Sequence, residues 1–140
     1  MELKEFAEKY TKAVVEAFQK NNFDPLKEVE DANVVYHTPG FPDLVGHEAH
    51  KQSILSFPEY YSDIKQEWEY VTGEGNLFAL AYKARYISTG KLPGWPPAGG
   101  EAGRDALFLY RLKDDKIVEV WQNGSWVGID EVVMLRAYKK

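Results

Sequence analysis

Four β-prone runs follow one another in the second half of the chain, and this succession restricts the possible folds more than any other feature. The runs cover residues 64–71, 77–88, 105–112 and 116–123, and each is rich in β-branched or aromatic residues. The polar segments 73–76 and 113–115 have hairpin length, so neighbouring strands should pair antiparallel. Residues 90–100 carry several prolines and glycines and are predicted to form a long loop.

The first half of the chain is mostly helical in pattern. Apolar residues recur at spacings of three and four over residues 2–20, which predicts an amphipathic helix. A second, short helix is predicted over 26–30 and a third over 47–57, ending before Pro58. Residues 33–37 predict a strand that enters a proline-containing turn. Helices first and strands last indicate an α+β domain with the helices on one face of the sheet.

Composition excludes several classes of function. The chain has 140 residues, which fits one domain over 1–140, and its net charge of −5 argues against a nucleic-acid partner. It has no cysteine, so disulfides and thiol catalysis are excluded. No apolar run is long enough to cross a membrane, and no secretory signal is readable at the N-terminus, so we expect a soluble, cytoplasmic protein.

Aromatic residues make up 14% of the chain, as four Trp, nine Tyr and seven Phe. A well-filled core accounts for most of them. Several could instead line a cavity, where large rings provide contact area for a small, largely apolar organic molecule.

Several local strings, in this order and spacing, resemble the SnoaL-like polyketide cyclases of the nuclear transport factor 2-like superfamily. They are VVYH at 34–37, FPDLVG at 41–46, GKLPGWPPAG at 90–99 and DKIVEVW at 115–121. The resemblance implies a cone in which three N-terminal helices close a bent antiparallel sheet over a deep pocket. It also implies a homodimer through the outer face of the sheet. Some members catalyse aldol ring closure, whereas relatives isomerise, dehydrate, hydrolyse or only bind ligands.

Two positions depart from the family pattern. A histidine of the cyclases usually stands where this chain has Ser88, and an acidic residue where it has Ser125. The usual acid–base pair is therefore replaced.

Period-two geometry groups the possible wall residues. If no bulge intervenes, Ile117, Glu119, Trp121, Asn123 and Ser125 share one face of the last strand. One face of the 77–88 strand carries Phe78, Leu80, Tyr82, Ala84, Tyr86 and Ser88. The resemblance assigns both rows to the cavity wall.

His37 and Glu119 are the predicted catalytic residues. His37 ends a strand at a place that the resemblance puts near the cavity, and it is the first candidate for proton transfer. If Glu119 lies on an apolar face, burial would raise the pKa of its carboxyl, which suits a general acid or base. Alternatively, His37 is a hydrogen-bonded wall residue and Glu119 pairs with Arg85, Arg104 or Arg111.

The other predicted site residues would bind a substrate. They are Tyr36, Tyr82, Tyr86, Ser88, Trp95, Trp121, Asn123, Ser125 and Trp126. Rings would stack on a planar ligand, and Asn123 and Ser125 would orient a carbonyl. Alternatively, the rings belong to the core, and Asn123 and Ser125 form the hydrogen bonds of a turn. Trp95 would then pack in a small satellite cluster under its loop.

No metal or other cofactor is predicted. His47 and His50 have three-residue spacing rather than the four of the HExxH zinc pattern, and no further ligand completes a set. The leading hypothesis is a cofactor-independent isomerase or cyclase acting on a polyketide-like or terpenoid-like carbonyl compound. The alternatives are a non-catalytic small-molecule-binding protein and a dimeric interaction domain with an incidental pocket.

Overall fold

The computed structural model describes residues 1–130 and Val133. Three helices, α1 Leu3–Lys20, α2 Asp24–Val29 and α3 His47–Tyr60, occupy the first half of the chain. Six strands complete it: β1 Glu30–His37, β2 Leu44–Val45, β3 Tyr61–Glu74, β4 Leu77–Ser88, β5 Glu101–Lys113 and β6 Lys116–Val127. No helix of the described part is both long and apolar enough to cross a membrane.

The strands form one curved, unclosed sheet in the order β2-β1-β6-β5-β4-β3. All neighbours pair antiparallel except β1 and β6, which pair in parallel. The predicted α+β class, with N-terminal helices on a bent sheet, is confirmed. The sheet differs from the prediction in this parallel pair and in the short strand β2, which was not predicted.

The main core lies between α1 and the inner face of the sheet. Phe6, Tyr10 and Val14 follow one another at four-residue spacing on α1, and all three are buried. The Phe6 ring contacts Phe78 edge-on at 6.0 Å, and Phe78 stacks on Tyr110 at 4.7 Å. The apolar stripe of α1 therefore fixes this helix across the strands.

Two local predictions for the helices were wrong. Helix α3 continues past Pro58 to Tyr60, because a proline near the end of a helix removes only one of its last hydrogen bonds. Glu30 was expected to end the second helix, but it is extended (φ −118°, ψ 130°) and opens β1. This position brings the Glu30 side chain into the core, where it is 1% exposed.

A β-bulge in β6 decides which residues face the helices. Leu112 pairs with Ile117 and Arg111 pairs with Glu119, so Val118 has no partner on β5. Ile117 and Val120 both point into the core as a result, and both are fully buried. Beyond the bulge, the row that begins with Glu119 lies on the outer face. The predicted cavity-facing row of β6 was therefore wrong.

Candidate functional site

A cavity of about 440 Å³ lies between the helices and the inner face of the sheet. This volume is within the range of small-molecule sites. Four of the predicted ligand-binding residues line it, namely Tyr36, Tyr82, Tyr86 and Trp126. The rest of the wall is mostly aromatic or aliphatic, with a few polar side chains at separate places.

One group of polar side chains, the Glu30 cluster, consists of Glu30, Tyr36, His47 and His50. The Glu30 carboxylate accepts hydrogen bonds from Nδ1 of His47 at 3.0 Å and from Nδ1 of His50 at 2.9 Å. It also accepts one from the Tyr36 hydroxyl. His47 and His50 are three residues apart on α3, so both reach the same carboxylate. Tyr36 and His50 line the cavity.

The Glu30 carboxylate remains ionised in this cluster. Burial raises the pKa of its carboxyl, but the charge and hydrogen bond of His50 and the hydrogen bonds of Tyr36 and His47 outweigh it. The net result is a pKa below the ordinary value of 4.5. Glu30 is therefore a buried anion held by three donors.

This arrangement fixes the tautomer of His50. A carboxylate can only accept hydrogen bonds, so Nδ1 of His50 must carry a proton. No hydrogen bond joins Nε2 of His50 to any described residue. When the ring is neutral, Nε2 has a free lone pair and can act as a base, while Glu30 orients the ring and stabilises its cationic form.

The two phenols beside His50 stay protonated. Burial and the charge of Glu30 raise the pKa of Tyr10 far above its usual range, and burial, Tyr10 and Glu30 do the same for Tyr36. The two hydroxyl oxygens are 3.4 Å apart. Because Tyr36 donates to Glu30, the Tyr10 hydroxyl is the donor between them.

The strands β3 to β6, with Thr38 just after β1, supply a second set of polar groups in the cavity wall. Nη1 of Arg104 donates to Oε1 of Gln122 at 3.0 Å, and the Thr38 hydroxyl donates to the same oxygen at 3.2 Å. Gln66 Nε2 donates to the Tyr82 hydroxyl at 2.9 Å. The Tyr82 oxygen is thus an acceptor for Gln66, and its own proton can go to a ligand oxygen.

A close backbone approach sets the positions of Gln122 and Trp126. A Cβ at Gly124, between them, would lie 2.1 Å from the Asp105 carbonyl oxygen. Only glycine permits β5 and β6 to come this near here. Gly124 therefore permits the close pairing of β5 and β6 beside these two wall residues.

His37 belongs to another group on the outer face, the His37 cluster, formed by His37, Asp43, Arg111 and Glu119. Nδ1 of His37 bonds Asp43 at 2.9 Å, and Nε2 bonds Glu119 at 2.7 Å. Arg111 Nε lies 3.4 Å from the other Glu119 oxygen. The bonds to Glu119 and Asp43 raise the pKa of His37, which outweighs partial burial. His37 is therefore an ion-paired cation with both nitrogens occupied.

The structure separates the predicted site residues into two faces. His37 and Glu119 do not line the cavity, and neither do Trp121, Asn123 and Ser125. The Trp121 ring stacks on His37 at 5.6 Å, and Asn123 and Ser125 are exposed. Glu119 has the ion-pair partner that the alternative interpretation expected, in Arg111.

Ser88 and Trp95 also lie outside the cavity lining. The buried Ser88 hydroxyl donates to the Pro96 carbonyl at 2.7 Å and accepts from the Gly90 N–H at 3.0 Å. Ser88 thus fastens the 90–100 loop. Trp95 packs 4.8 Å from the Tyr61 ring in a small second core, as the satellite-cluster alternative expected.

Two side chains of the cavity wall, His50 and Arg104, and the buried Glu30 behind His50 were not predicted as catalytic or substrate-binding residues. The spacing of His47 and His50 gave a signal, because two histidines on one face of a helix need a polar partner if that face is buried. Glu30 gave none, since it follows a helical pattern. Within residues 1–130 and Val133, no group of three or more His, Cys, Asp or Glu is arranged to hold a metal ion.

The curved sheet closed by N-terminal helices over a cavity has the nuclear transport factor 2-like fold. The model of the SnoaL-like polyketide cyclase family matches residues 8–132, and the chain belongs to this family. The resemblance read from the sequence is confirmed. The match supports a polyketide-cyclase-type role at the level of the family.

Solved structures show the same fold. IdmH of Streptomyces antibioticus, a candidate polyketide cyclase, is 22% identical with a TM-score of 0.69, over 96% of this chain and 99% of that one. A candidate SnoaL-like cyclase of Mesorhizobium loti is 20% identical with a TM-score of 0.67, over 88% and 99%. AclR of Streptomyces galilaeus, a candidate hydroxylase, is 16% identical with a TM-score of 0.68, over 89% and 91%. A comparison with curated proteins gives no match.

Proposed function

We propose that the protein catalyses proton transfer on a small carbonyl compound, as an isomerase or an aldol-type cyclase. The observation that carries the proposal is the buried Glu30–His50 pair, which leaves Nε2 of His50 as a base at the cavity wall. The family match supports the choice of a cyclase-type reaction. His50 and Glu30 replace His37 and Glu119 as the proposed proton-transfer residues.

The proposed reaction begins with removal of a proton from the carbon next to the substrate carbonyl. Nε2 of His50 takes this proton, and the resulting imidazolium is stabilised by the Glu30 carboxylate. The Tyr82 hydroxyl donates a hydrogen bond to the enolate oxygen. The carbanion then either regains the proton at another carbon or attacks a second carbonyl of the same molecule. The second path closes a ring and leaves an alkoxide, which takes the proton back from Nε2 of His50.

The aromatic wall fits a planar, largely apolar substrate. Tyr61, Tyr86 and Trp126 present ring surface to the cavity, and these rings would exclude water from the enolate. They would also hold the substrate in the conformation that reacts.

Exchange of α-protons in D₂O tests the proposal without knowledge of the natural substrate. The probe is 2-tetralone, a bicyclic ketone with acidic α-protons, and proton NMR follows its deuteration. We expect the wild-type protein to accelerate exchange above the buffer rate and Tyr82→Phe to reduce this acceleration. No acceleration by the wild-type protein, or full acceleration by His50→Gln, would contradict the proposal.

A non-catalytic binding role is the second candidate. It is favoured by Ser88, which occupies a position where the cyclases usually have histidine and here fastens a loop. In that case 2-tetralone would bind, with quenching of tryptophan fluorescence, but its α-protons would exchange at the buffer rate.

We also propose that two copies pair through the outer face of the sheet. Leu107 and Leu109 are 54% and 39% exposed on β5, and Leu109 lies beside Trp121 of β6. A second copy of the chain presents the same apolar strip, so each strip would cover the other in a two-fold pair. Leu107→Glu should shift the protein from dimer to monomer in sedimentation velocity, and a monomeric wild-type protein would overturn the pairing.

A further inference from the structure

Arg104 is a cation in the cavity wall, and none of the described residues gives it an anionic partner. The other arginines of β4 and β5, Arg85 and Arg111, each pair with a carboxylate. No Asp or Glu oxygen of the described residues lies within 4.0 Å of the Arg104 guanidinium. Burial lowers the pKa of Arg104, and the ionisable groups that act on it are the phenols of Tyr82 and Tyr86. Charges that are largely withdrawn from water are normally paired, and the described residues supply no negative group to this site.

The hydrogen bonding of Arg104 is also incomplete. Only Nη1 has an acceptor, the side-chain oxygen of Gln122. Nε is buried and has no hydrogen-bond partner, and no bond from Nη2 to a described residue is present. Nη2 is not among the buried unpaired atoms, so its N–H groups are the donors that a ligand carboxylate can reach.

Two aromatic rings hold the guanidinium in place. Its central carbon lies 4.7 Å from the ring centre of Trp126 and 5.7 Å from that of Phe108. All three side chains line the cavity. The cation is therefore positioned against ring surfaces that would also contact the apolar body of a ligand.

We propose that the ligand of this cavity carries a carboxylate, bound by Arg104, on a planar apolar body that the surrounding rings contact. A neutral carbonyl could accept a hydrogen bond from Arg104 but would leave its charge uncompensated. The proposal rests on the proposed function, because both place the substrate in this cavity. It adds that the substrate has a carboxylate separate from the carbonyl group on which His50 and Tyr82 act.

Binding of two matched probes tests this assignment. 2-Naphthoate and 2-naphthamide have the same ring system and nearly the same shape, but only the first is charged at neutral pH. Titration calorimetry on the full chain should give a dissociation constant about tenfold or more lower for the naphthoate. In Arg104→Gln the two constants should become nearly equal, and Arg104→Lys should keep part of the preference because it keeps the charge.

Arg85→Gln is the matched control, since it removes the same charge from a neighbouring strand outside the cavity. It should retain the wild-type preference. Unchanged naphthamide binding by Arg104→Gln would show that this variant is folded. Equal affinities in the wild-type protein, no binding of naphthoate, or a preference that survives Arg104→Gln would overturn the proposal.

His50→Gln separates this proposal from the proposed catalysis. The variant should lose α-proton exchange and still prefer naphthoate, because Arg104 remains. A preference for naphthoate without exchange by the wild-type protein would refute the catalytic role and keep the carboxylate site.

Discussion

The Glu30 cluster and the His37 cluster both combine histidine with carboxylate, but in opposite ratios. In the Glu30 cluster one buried carboxylate serves two histidines and a tyrosine. In the His37 cluster one histidine lies between two carboxylates. Among the described residues, one ring nitrogen of His50 therefore has no hydrogen-bond partner, whereas both ring nitrogens of His37 have one. A histidine can act as a base only if its carboxylate partners leave a nitrogen free, so His50, at the cavity wall, is the reactive histidine of the two.

The largest expected difference between the two clusters is in proton transfer. His50→Gln should lower the protein-catalysed exchange of 2-tetralone roughly a hundred- to ten-thousand-fold, because the base is removed. His37→Gln removes a histidine that does not line the cavity and should leave the rate nearly unchanged. A large loss in His37→Gln with none in His50→Gln would reverse the comparison.

The next difference is in stability. Glu30→Gln leaves several buried donors facing an amide and should lower the free energy of unfolding by about 3 kcal/mol. Glu119→Gln removes a carboxylate whose side chain is 31% exposed and should cost about 1 kcal/mol or less. Urea unfolding of both variants measures this contrast. Similar losses would mean that burial does not distinguish the clusters.

Acid should act mainly on the Glu30 cluster. The pKa of Glu30 is lowered in the folded protein, so its contribution to stability is present above its ordinary value of 4.5 and is lost as pH falls through the folded pKa. Urea midpoints measured below pH 4.5 should fall steeply for the wild-type protein and less for Glu30→Gln. Parallel curves for the two proteins would show that Glu30 is not the anion described here.

The smallest effect concerns the His37 cluster at higher pH. The pKa of His37 is raised above 6.5, so its contribution to stability is complete below that value and is lost as pH rises through the folded pKa. NMR titration of His37 should show this upward shift, and Asp43→Asn should reduce it. A titration at or below the ordinary value would exclude the double ion pair.

The fold could be predicted largely from sequence because its signals are local. The apolar spacing of α1 and the β-prone run of Leu77–Ser88 determine their elements directly, and both were found where predicted. The paired aspartates Asp114 and Asp115, with φ of 52° and 60°, form the hairpin turn that the polar segment indicated.

The candidate site could be predicted only in part because it depends on longer-range geometry. The bulge at Val118 exchanges the two faces of β6, and nothing in its local sequence marks it. Glu30 contacts His50 across 20 residues of chain, so neither residue indicates its partner. The register of β4 against β5 contains no such shift, and Tyr82 and Tyr86 line the cavity on the face that alternation predicts.

The central claim is that His50, through its free Nε2, meets the ligand and that His37 does not. The chain has three histidines, so their imidazole signals can be resolved by ¹H–¹⁵N NMR. With 2-naphthamide added, we expect the Nε2 signal of His50 to move, with the neutral ring protonated at Nδ1, while the His37 signals stay in place. Movement of the His37 signals with no change at His50, or a neutral His50 protonated at Nε2, would contradict the account.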